Sequence, residues 1–410
     1  MTNEQLSIQF FLQLAIIIAA CRLVGLAVQR WLGQPQVVGE MIAGVLLGPS
    51  VLGLFFPQVE ALLFPPDSKQ VLFVGAQLGV GLYMFIVGLT FDRDDFRQQA
   101  SAATAVAFGS MAAPFAVAAL MAPWLVGVPG LFAAGVETWQ AALFLGAAIA
   151  ITAFPMLARI IHEAGIAKSP VGTLSLSSGA IGDAGAWIVV AIVIASMGGD
   201  TSLAWKALGG GTLFAVFMIV VAPHLLARLA VVHERQGMGM GLLGTVLVLF
   251  LVCAFLMEGA GIHVVFGGFL LGTAMPRGRF AEELRARIEP FATVFLLPIF
   301  FTFSGLNTQL QVVDSLDLLA AAAAILAASF LAKGGACYVA ARLFGHDHAT
   351  AMSVAALMNA RGLMELIIIN IGLQRGIIEP GLFAILVVMA IVTTLAASPM
   401  FEAVRAKPGR

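Results

Sequence analysis

The sequence predicts an all-α polytopic membrane protein with about thirteen transmembrane helices. Hydrophobic residues make up 60% of its 410 residues and charged residues only 10%, whereas a soluble domain carries about a quarter charged residues. The apolar residues lie in long runs separated by short charged segments, and a membrane-spanning helix needs about 20 such residues. This composition, with a formal net charge of −1, excludes a nucleic-acid-binding protein and a disordered chain.

The apolar runs predict thirteen spans in chain order. The ninth run is short and close to the eighth, so counts of twelve and fourteen stay open. The predicted spans cover residues 6–28, 37–55, 70–91, 100–127, 139–162, 170–197, 202–228, 239–258, 262–275, 286–305, 315–343, 349–373 and 379–403.

Lysine and arginine are unevenly divided between the two sides that these spans define. Fifteen fall on one side, whereas the other side has only Lys69, Lys206 and Arg375. Because cytoplasmic loops carry the excess of Lys and Arg, we predict a cytoplasmic C-terminus and an N-terminus outside. The loops are short, so residues 1–410 are predicted to form one transmembrane domain without a soluble regulatory domain.

Asp183 lies in the middle of the sixth span. A charged side chain at the bilayer centre costs about 2.5–3.5 kcal/mol, so an acid there is a functional candidate by default. Helical spacing places Ser175 and Gly179 on the face of Asp183, and small residues let a neighbouring helix approach that face. Ser178 lies in the same stretch. We therefore predict an ion or proton site at Asp183.

The fifth span is interrupted near its centre by Thr152, Phe154 and Pro155. Proline removes a backbone donor and disfavours helix at the preceding residue. Unwound backbone within a membrane is tolerated only where protein or a cavity covers it, so the break marks a candidate site. A simple proline kink is the alternative.

The twelfth span is interrupted in a similar way, by Asn359, Arg361 and Glu365 around a glycine. It follows the fifth span by seven helices, an odd offset, so the two broken helices run in opposite directions. Such a pair is typical of an inverted repeat whose broken helices cross at a transport site. We predict a first repeat at about 6–197, a linking helix at about 202–228 and a second repeat at about 239–403.

Three charged residues in this region, Arg361, Glu365 and Lys333, require partners. Arg361 and Glu365 are four residues apart, so they can form an intrahelical ion pair that braces the break. Lys333 lies about ten residues from either end of the eleventh span, too far from water for its charge to be exposed. We predict that Lys333 is a charge partner near Asp183, with compensation of a helix-end dipole as the alternative.

Enzymatic chemistry has no support in the sequence. No nucleophile elbow, phosphate-binding loop or zinc-protease motif occurs, and the abundant glycine and serine are typical of helix packing in membranes. His346 and His348 have no cysteine or acid at the spacing of metal ligands beyond Asp347. His263, at the junction of the eighth and ninth helices, is interpreted as a structural residue. We therefore predict a protein that is not an enzyme and has no cofactor or resident metal.

Several motifs, in shared order along nearly the whole chain, resemble those of the monovalent cation:proton antiporter-2 family. This family includes bacterial Na⁺/H⁺ and K⁺/H⁺ antiporters, Kef-type proteins and plant cation/H⁺ exchangers. The motifs are Gln34–Glu40 leading into Leu47–Gly53, Met84–Leu89, Ala150–Arg159, Asp183–Trp187, Gly261–His263 with Phe266–Leu270, and Met358–Gly372.

The resemblance implies the Na⁺/H⁺ antiporter-like fold, in which a panel of helices supports a six-helix core containing two crossed broken helices. It also implies a homodimer formed through the panel, in the inner (plasma) membrane of a bacterium. In such proteins the acid corresponding to Asp183 binds the cation or protons, and the lysine corresponding to Lys333 lies close to it. Whether a separate regulatory subunit exists stays open.

Two positions depart from the family pattern. The residue before the aspartate is usually Asp, Asn or Gln in the family, whereas here it is Gly182. The absence of a second carboxylate favours electroneutral exchange of one proton per cation. Relatives also commonly have an acid where this chain has Thr90, and the sequence alone does not explain that change.

The predicted function is exchange of Na⁺ or K⁺ for protons by alternating access, because a proton and a dehydrated cation compete for Asp183. Thr152 and Ser178 are the predicted replacements for water around the cation. A Na⁺-coupled organic-anion symporter of the same fold and a gated cation channel are the alternatives. The choice between Na⁺ and K⁺ depends on cavity dimensions that sequence does not define.

Overall fold

The structure, a computed structural model, is helical in all the regular elements that it describes. It describes residues 2–32, 34, 36–91, 93–196, 201–261, 263–306, 315–361, 365, 368–369, 372–373 and 375–405. Within these residues the helices are α1 (Asn3–Leu32), α2 (Gln36–Leu47), α3 (Leu52–Phe55), α4 (Pro57–Leu63), α5 (Pro66–Thr90), α6 (Arg93–Leu125), α7 (Thr138–Ala150), α8 (Phe154–Glu163), α9 (Pro170–Ser196), α10 (Thr201–Val216), α11 (Ala222–Gln236), α12 (Met240–Gly259), α13 (Val264–Ala274), α14 (Arg279–Phe291), α15 (Leu297–Leu306), α16 (Leu316–Ala328), α17 (Gly335–Leu343), α18 (His348–Leu357) and α19 (Pro380–Arg405).

Three π-helical turns lie within the described residues. They join consecutive α-helices into longer rods, and such turns occur frequently at functional sites. The turns are Phe217–Val221 between α10 and α11, Ala292–Leu296 between α14 and α15, and Ser329–Gly334 between α16 and α17.

Ten helical segments among the described residues are long and apolar enough to cross a membrane, and each coincides with a predicted span. The all-helical membrane fold is therefore confirmed, whereas the count of thirteen spans stays a prediction. The ten segments are Asn3–Leu32, Gln36–Phe55, Pro66–Thr90, Gln98–Leu125, Thr138–Glu163, Leu208–Gln236, Met240–Gly259, Arg279–Phe303, Leu316–Leu343 and Pro380–Arg405.

The three other predicted spans also correspond to helices. Pro170–Ser196 occupies the sixth, and the shorter apolar helices Val264–Ala274 and His348–Leu357 occupy the ninth and the start of the twelfth. The remainder of the twelfth span falls partly outside the described residues.

The helix that links the two predicted repeats is longer than the sequence analysis predicts. It continues to Gln236 rather than ending near residue 228. The extension is amphipathic, and its polar end is held because His233 lies 3.1 Å from Glu283 and packs edge-on against Phe280. Arg228 and Arg235 therefore both lie on this helix.

The helices pack in two groups. In the first, here called the panel, α1 packs with α2, α5 and α15, and α5 packs with α12, α13 and α15. In the second, the core, α6 packs with α7, α9 and α17, α8 packs with α9, and α18 packs with α17 and α19. Glycines allow the close helix contacts within the panel. A side chain at Gly88 would collide with the carbonyl oxygen of Phe269, and one at Gly305 would collide with the backbone of Gly44.

Candidate functional site at two crossed helices

The first broken helix consists of α7 and α8, and Ile151–Ala153 between them is not helical. Pro155 lies in the first turn of α8, where its missing N–H removes no intrahelical hydrogen bond. The predicted interruption of the fifth span is therefore confirmed as a true break, and a simple proline kink is excluded.

The second broken helix has its break at residues 358–361. α18 ends at Leu357, Met358 and Asn359 form a turn, and Ala360 and Arg361 are not helical. The side-chain amide nitrogen (Nδ2) of Asn359 donates to the carbonyl of Ala355 at 2.8 Å. Its side-chain oxygen is buried without a hydrogen-bond partner among the described residues, so this oxygen is available at the break.

The two breaks are in direct contact. The backbone N–H of Ala153 donates to the carbonyl oxygen of Ala360 at 3.0 Å. The hydroxyl of Thr152 donates to the carbonyl of Met358 at 3.4 Å. The crossing of the two broken helices, predicted from their offset along the chain, is thereby confirmed.

Arg361 joins the second break to the end of the first. Its guanidinium is fully buried and donates to the carbonyls of Ala148 and Ile151 at 3.1 and 3.0 Å. A further guanidinium nitrogen donates to the Ser329 hydroxyl at 2.7 Å. Glu365 is 3.9 Å from the guanidinium, so the predicted ion pair is long and most of the hydrogen bonds of Arg361 go to the first broken helix.

Lys333 lies in the π-helical turn Ser329–Gly334 and is fully buried. Its ammonium donates to the carbonyl of Ala150, the last residue of α7, at 2.6 Å. Among the described residues no ion pair within 4.0 Å joins Lys333 to Asp183, the partner that the sequence analysis predicts for it. The contact that is present corresponds to the alternative, compensation of a helix-end dipole.

Asp183 lies in α9 and is 1% exposed. Neither carboxylate oxygen has a hydrogen-bond partner among the described residues. The α9 helix meets the break through Gly179, one turn before Asp183, because an added side chain there would touch Leu157 and Phe154 of α8 at 2.8 and 3.1 Å. The acid is therefore buried beside the crossing.

Three serines, Ser175, Ser177 and Ser178, precede Asp183 in α9. Ser178 donates to the carbonyl of Leu174 at 2.7 Å, which leaves the lone pairs of its oxygen for another ligand. The hydroxyls of Ser175 and Ser177 are buried and have no hydrogen-bond partner among the described residues. The sequence analysis placed Ser175 on the face of Asp183 and did not consider Ser177.

The core contacts the panel through α8. At its start, the ring of Phe154 packs edge-on against Phe269 of α13, with centroids 5.0 Å apart. At its other end, Glu163 pairs with Arg159 at 2.6 Å. The same carboxylate accepts from the backbone N–H of Val37, in the first turn of α2, at 3.3 Å. We call this last hydrogen bond the α8–α2 contact.

The sequence analysis missed the charged residues around the α8–α2 contact. Arg159 appears there only as the end of a motif, yet its guanidinium lies 5.9 Å from the centre of the Tyr83 ring of the panel. Glu40 is not singled out, although it is 1% exposed and one of its oxygens has no partner among the described residues. The signal was available, because Glu40 lies inside an apolar run.

Comparison with known families identifies relatives over nearly the whole chain. Residues 16–405 match the family described as "Sodium/hydrogen exchanger, transmembrane". The Na⁺/H⁺ antiporter NhaS4 of Synechocystis sp. is 37% identical over 392 residues, which are 94% of this chain and 94% of that protein.

A plant protein and a solved structure extend the comparison. The cation/H⁺ antiporter 18 of Arabidopsis thaliana is 32% identical over 409 residues, 97% of this chain. The chain spans about half the length of that relative, 49% of which is covered. The structure of the sodium proton antiporter MjNhaP1 from Methanocaldococcus jannaschii has a TM-score of 0.65 at 14% identity, covering 98% of this chain and 97% of that one. The two chains therefore share a fold.

Proposed function

The chain belongs to the sodium/hydrogen exchanger family, and from this premise we propose that it exchanges a monovalent cation, Na⁺ or K⁺, for protons across a membrane by alternating access. The observation that supports the proposal is the environment of the Asp183 carboxylate. Asp183 is buried beside the crossing, and both carboxylate oxygens lack a hydrogen-bond partner among the described residues.

Exchange follows from competition at this carboxylate. A buried charge without a partner costs several kcal/mol, and either a proton or a dehydrated cation removes that cost. The two ligands exclude each other because each occupies the same oxygens. If the core moves only when Asp183 carries one of them, each passage of a cation in one direction is coupled to passage of a proton in the other.

Residues around the crossing complete the proposed site. Thr152 and Ser178 provide hydroxyl oxygens for the cation. The remaining site residues keep the two breaks in place, and their contacts support that role: Phe154, Pro155, Asn359, Arg361 and Glu365.

The proposed domain organisation has a first repeat at about 6–197, a linking helix and a second repeat at about 239–403. We propose that the core moves against the panel and that two chains associate through their panels. The bias of Lys and Arg supports a cytoplasmic C-terminus and an N-terminus outside, in the inner membrane of a bacterium.

The experiment that tests this function uses proteoliposomes with a trapped pH dye and an imposed pH gradient. Na⁺, K⁺, Li⁺ or Rb⁺ is added to wild type, to Asp183→Asn, and to Asp317→Asn, a control at an exposed aspartate. We expect at least one cation to collapse the gradient in wild type and in the control but not in Asp183→Asn. If intact wild type responds to no cation, or if Asp183→Asn keeps full activity, the proposed function is wrong.

Charge stoichiometry needs a separate measurement. Gly182 leaves Asp183 without a neighbouring carboxylate, which supports one proton per cation. Exchange by the wild type is then expected to proceed at the same rate whether the membrane potential is clamped at zero or imposed by a diffusion potential of an ion that the protein does not transport. A rate that follows the imposed potential would contradict electroneutral exchange.

A further inference from the structure

The carbonyl end of α7 is held by two buried cations. The last carbonyls of a helix have no intrahelical partners and carry a partial negative charge. Lys333 binds the carbonyl of Ala150 at 2.6 Å, and Arg361 binds those of Ala148 and Ile151. Three carbonyls directly before or within the first break are thus satisfied by charged donors.

The π-helical turn Ser329–Gly334 brings two contacts to this point. Ser329, at the start of the turn, accepts a hydrogen bond from Arg361 at 2.7 Å. Lys333, near its end, donates to Ala150. The turn therefore contacts both broken helices. Ser329 binds Arg361 of the second broken helix, and Lys333 binds Ala150 of the first.

Lys333 does not act on Asp183 through a direct contact. Its hydrogen bond goes to Ala150, and neither oxygen of Asp183 has a partner among the described residues. Lys333 and Asp183 also belong to different helices, and both helices pack against the first broken helix. The break between α7 and α8 consequently lies on the structural path that connects them.

We propose that Lys333 is a positioning residue that determines the affinity of the site for the transported cation but not for the proton. This inference rests on the proposed function of Asp183. A dehydrated cation needs several oxygens at fixed positions, including those near Thr152 in the break, whereas a proton needs only one carboxylate oxygen. Displacement of the carbonyl end of α7 therefore weakens cation binding selectively.

The test measures the cation concentration for half-maximal exchange at a series of pH values, in proteoliposomes of intact protein. At alkaline pH this concentration reaches a plateau that reports cation affinity. On lowering the pH it rises, and the pH at which it doubles reports proton affinity, since the two ligands compete. The variants are Lys333→Gln, Lys333→Arg and, in case the glutamine variant is not recovered folded, Lys333→Met.

Arg277→Gln is the matched control. Arg277 is also a cation at the carbonyl end of a helix, because its guanidinium binds the carbonyls of Gly88 and Leu89 at the end of α5. That end belongs to the panel and not to the crossing. A general effect of removing a helix-end cation would appear in both variants, whereas the proposed effect appears only at Lys333.

We expect Lys333→Gln or Lys333→Met to raise the alkaline plateau about tenfold, the lower end of what loss of an outer-shell group costs a metal site. The pH of doubling should stay unchanged, Lys333→Arg should resemble wild type, and Arg277→Gln should keep both values.

Two results would overturn the proposal. If Lys333 were the charge partner of Asp183, loss of its charge would strengthen binding of both ligands, so the plateau would fall and the pH of doubling would rise. If its role were only to support folding, the maximal rate would drop with both values unchanged. A wild type without cation-dependent exchange would instead overturn the proposed function itself, and this role with it.

Discussion

The backbone N–H of Ala153 and the carbonyl oxygen of Ala360 form a hydrogen bond of 3.0 Å that joins the two breaks of the crossed helices. This bond involves only main-chain atoms, so no substitution other than proline at residue 153 removes its donor or its acceptor. Its geometry is controlled by the residues that hold the two breaks. Perturbation of those residues is therefore the way to test the site.

Arg361 is the first such residue. We expect Arg361→Gln to destabilise the protein by about 3 kcal/mol or more, because buried hydrogen bonds to a charged group contribute about 1.5–3 kcal/mol each and Arg361 makes three through its guanidinium. The melting temperature of the purified protein in detergent measures this effect. Arg342→Gln is the control, since Arg342 is exposed and donates to the carbonyl of His346. Equal melting temperatures for the two variants would contradict the bracing role.

Substitutions at two glycines of α9, Gly179 and Gly182, should differ in their effects. A side chain at Gly179 would touch Leu157 and Phe154 at 2.8 and 3.1 Å, whereas one at Gly182 would meet no other atom of the described residues within 4 Å. We expect Gly179→Ala to cost about 1–3 kcal/mol, as overpacking does, and to reduce exchange. Gly182→Ala should keep wild-type stability and activity. Both variants are compared by their melting temperatures in detergent and their exchange rates in proteoliposomes. Equal values for the two variants would contradict the prediction.

Asp347, at the start of α18, should make the stability of the folded protein depend on pH. Hydrogen bonds from the side chain and backbone of Thr350 lower the pKa of Asp347, with a further one from the N–H of Ala349. Because the pKa is lower in the folded state, the stabilisation is complete above the unfolded pKa of about 3.9 and is lost as the pH falls through the folded pKa.

Asp347→Asn keeps a capping side chain without a charge, so it is the comparison for this effect. The melting temperature of wild type minus that of Asp347→Asn should be constant at neutral pH and should decrease toward acid pH. The difference is small because Asp347 is exposed. A difference that grows on acidification would show that the sign is wrong.

The α8–α2 contact predicts that a cross-link there stops transport. Glu163 of the core binds the N–H of Val37 in the panel at 3.3 Å. If the core moves against the panel, this contact must open in each cycle. In a background without the three native cysteines, a short thiol cross-linker applied to Val37→Cys/Glu163→Cys should abolish exchange.

A pair within the panel is the control for that experiment. Gln13 and Ser68 are hydrogen-bonded at 2.7 Å between α1 and α5, so Gln13→Cys/Ser68→Cys should tolerate the same cross-linker. Exchange that survives a complete cross-link between residues 37 and 163 would mean that α8 and α2 do not separate during the cycle.

The sequence predicts the helical architecture and the two breaks well because both depend on local chemistry. Long apolar runs identify the spans, and Pro155 and the polar residues around Asn359 mark the interruptions. Asp183 is predictable for a similar reason, since an acid in an apolar helix is costly wherever it lies.

Contacts between distant segments are less predictable. The ammonium of Lys333 binds Ala150 rather than Asp183, because a buried lysine is satisfied equally well by a carboxylate or by a helix-end carbonyl, and only the packing decides which is in reach. For the same reason Arg361 binds carbonyls of the first broken helix instead of depending on Glu365. The α8–α2 contact was missed because Glu163 lies at the end of a span, where an acid is common.

The support of α7 by Lys333 and Arg361 also has a consequence for biosynthesis. Both cations follow the linking helix in the chain, so the first half enters the membrane before the donors for its exposed carbonyls at Ala148, Ala150 and Ile151 have been made. The crossing therefore forms only after translation has passed Arg361. Until then these three carbonyls of the first half lack the two cations that bind them in the folded protein, so the first break is completed only when the second half packs around it.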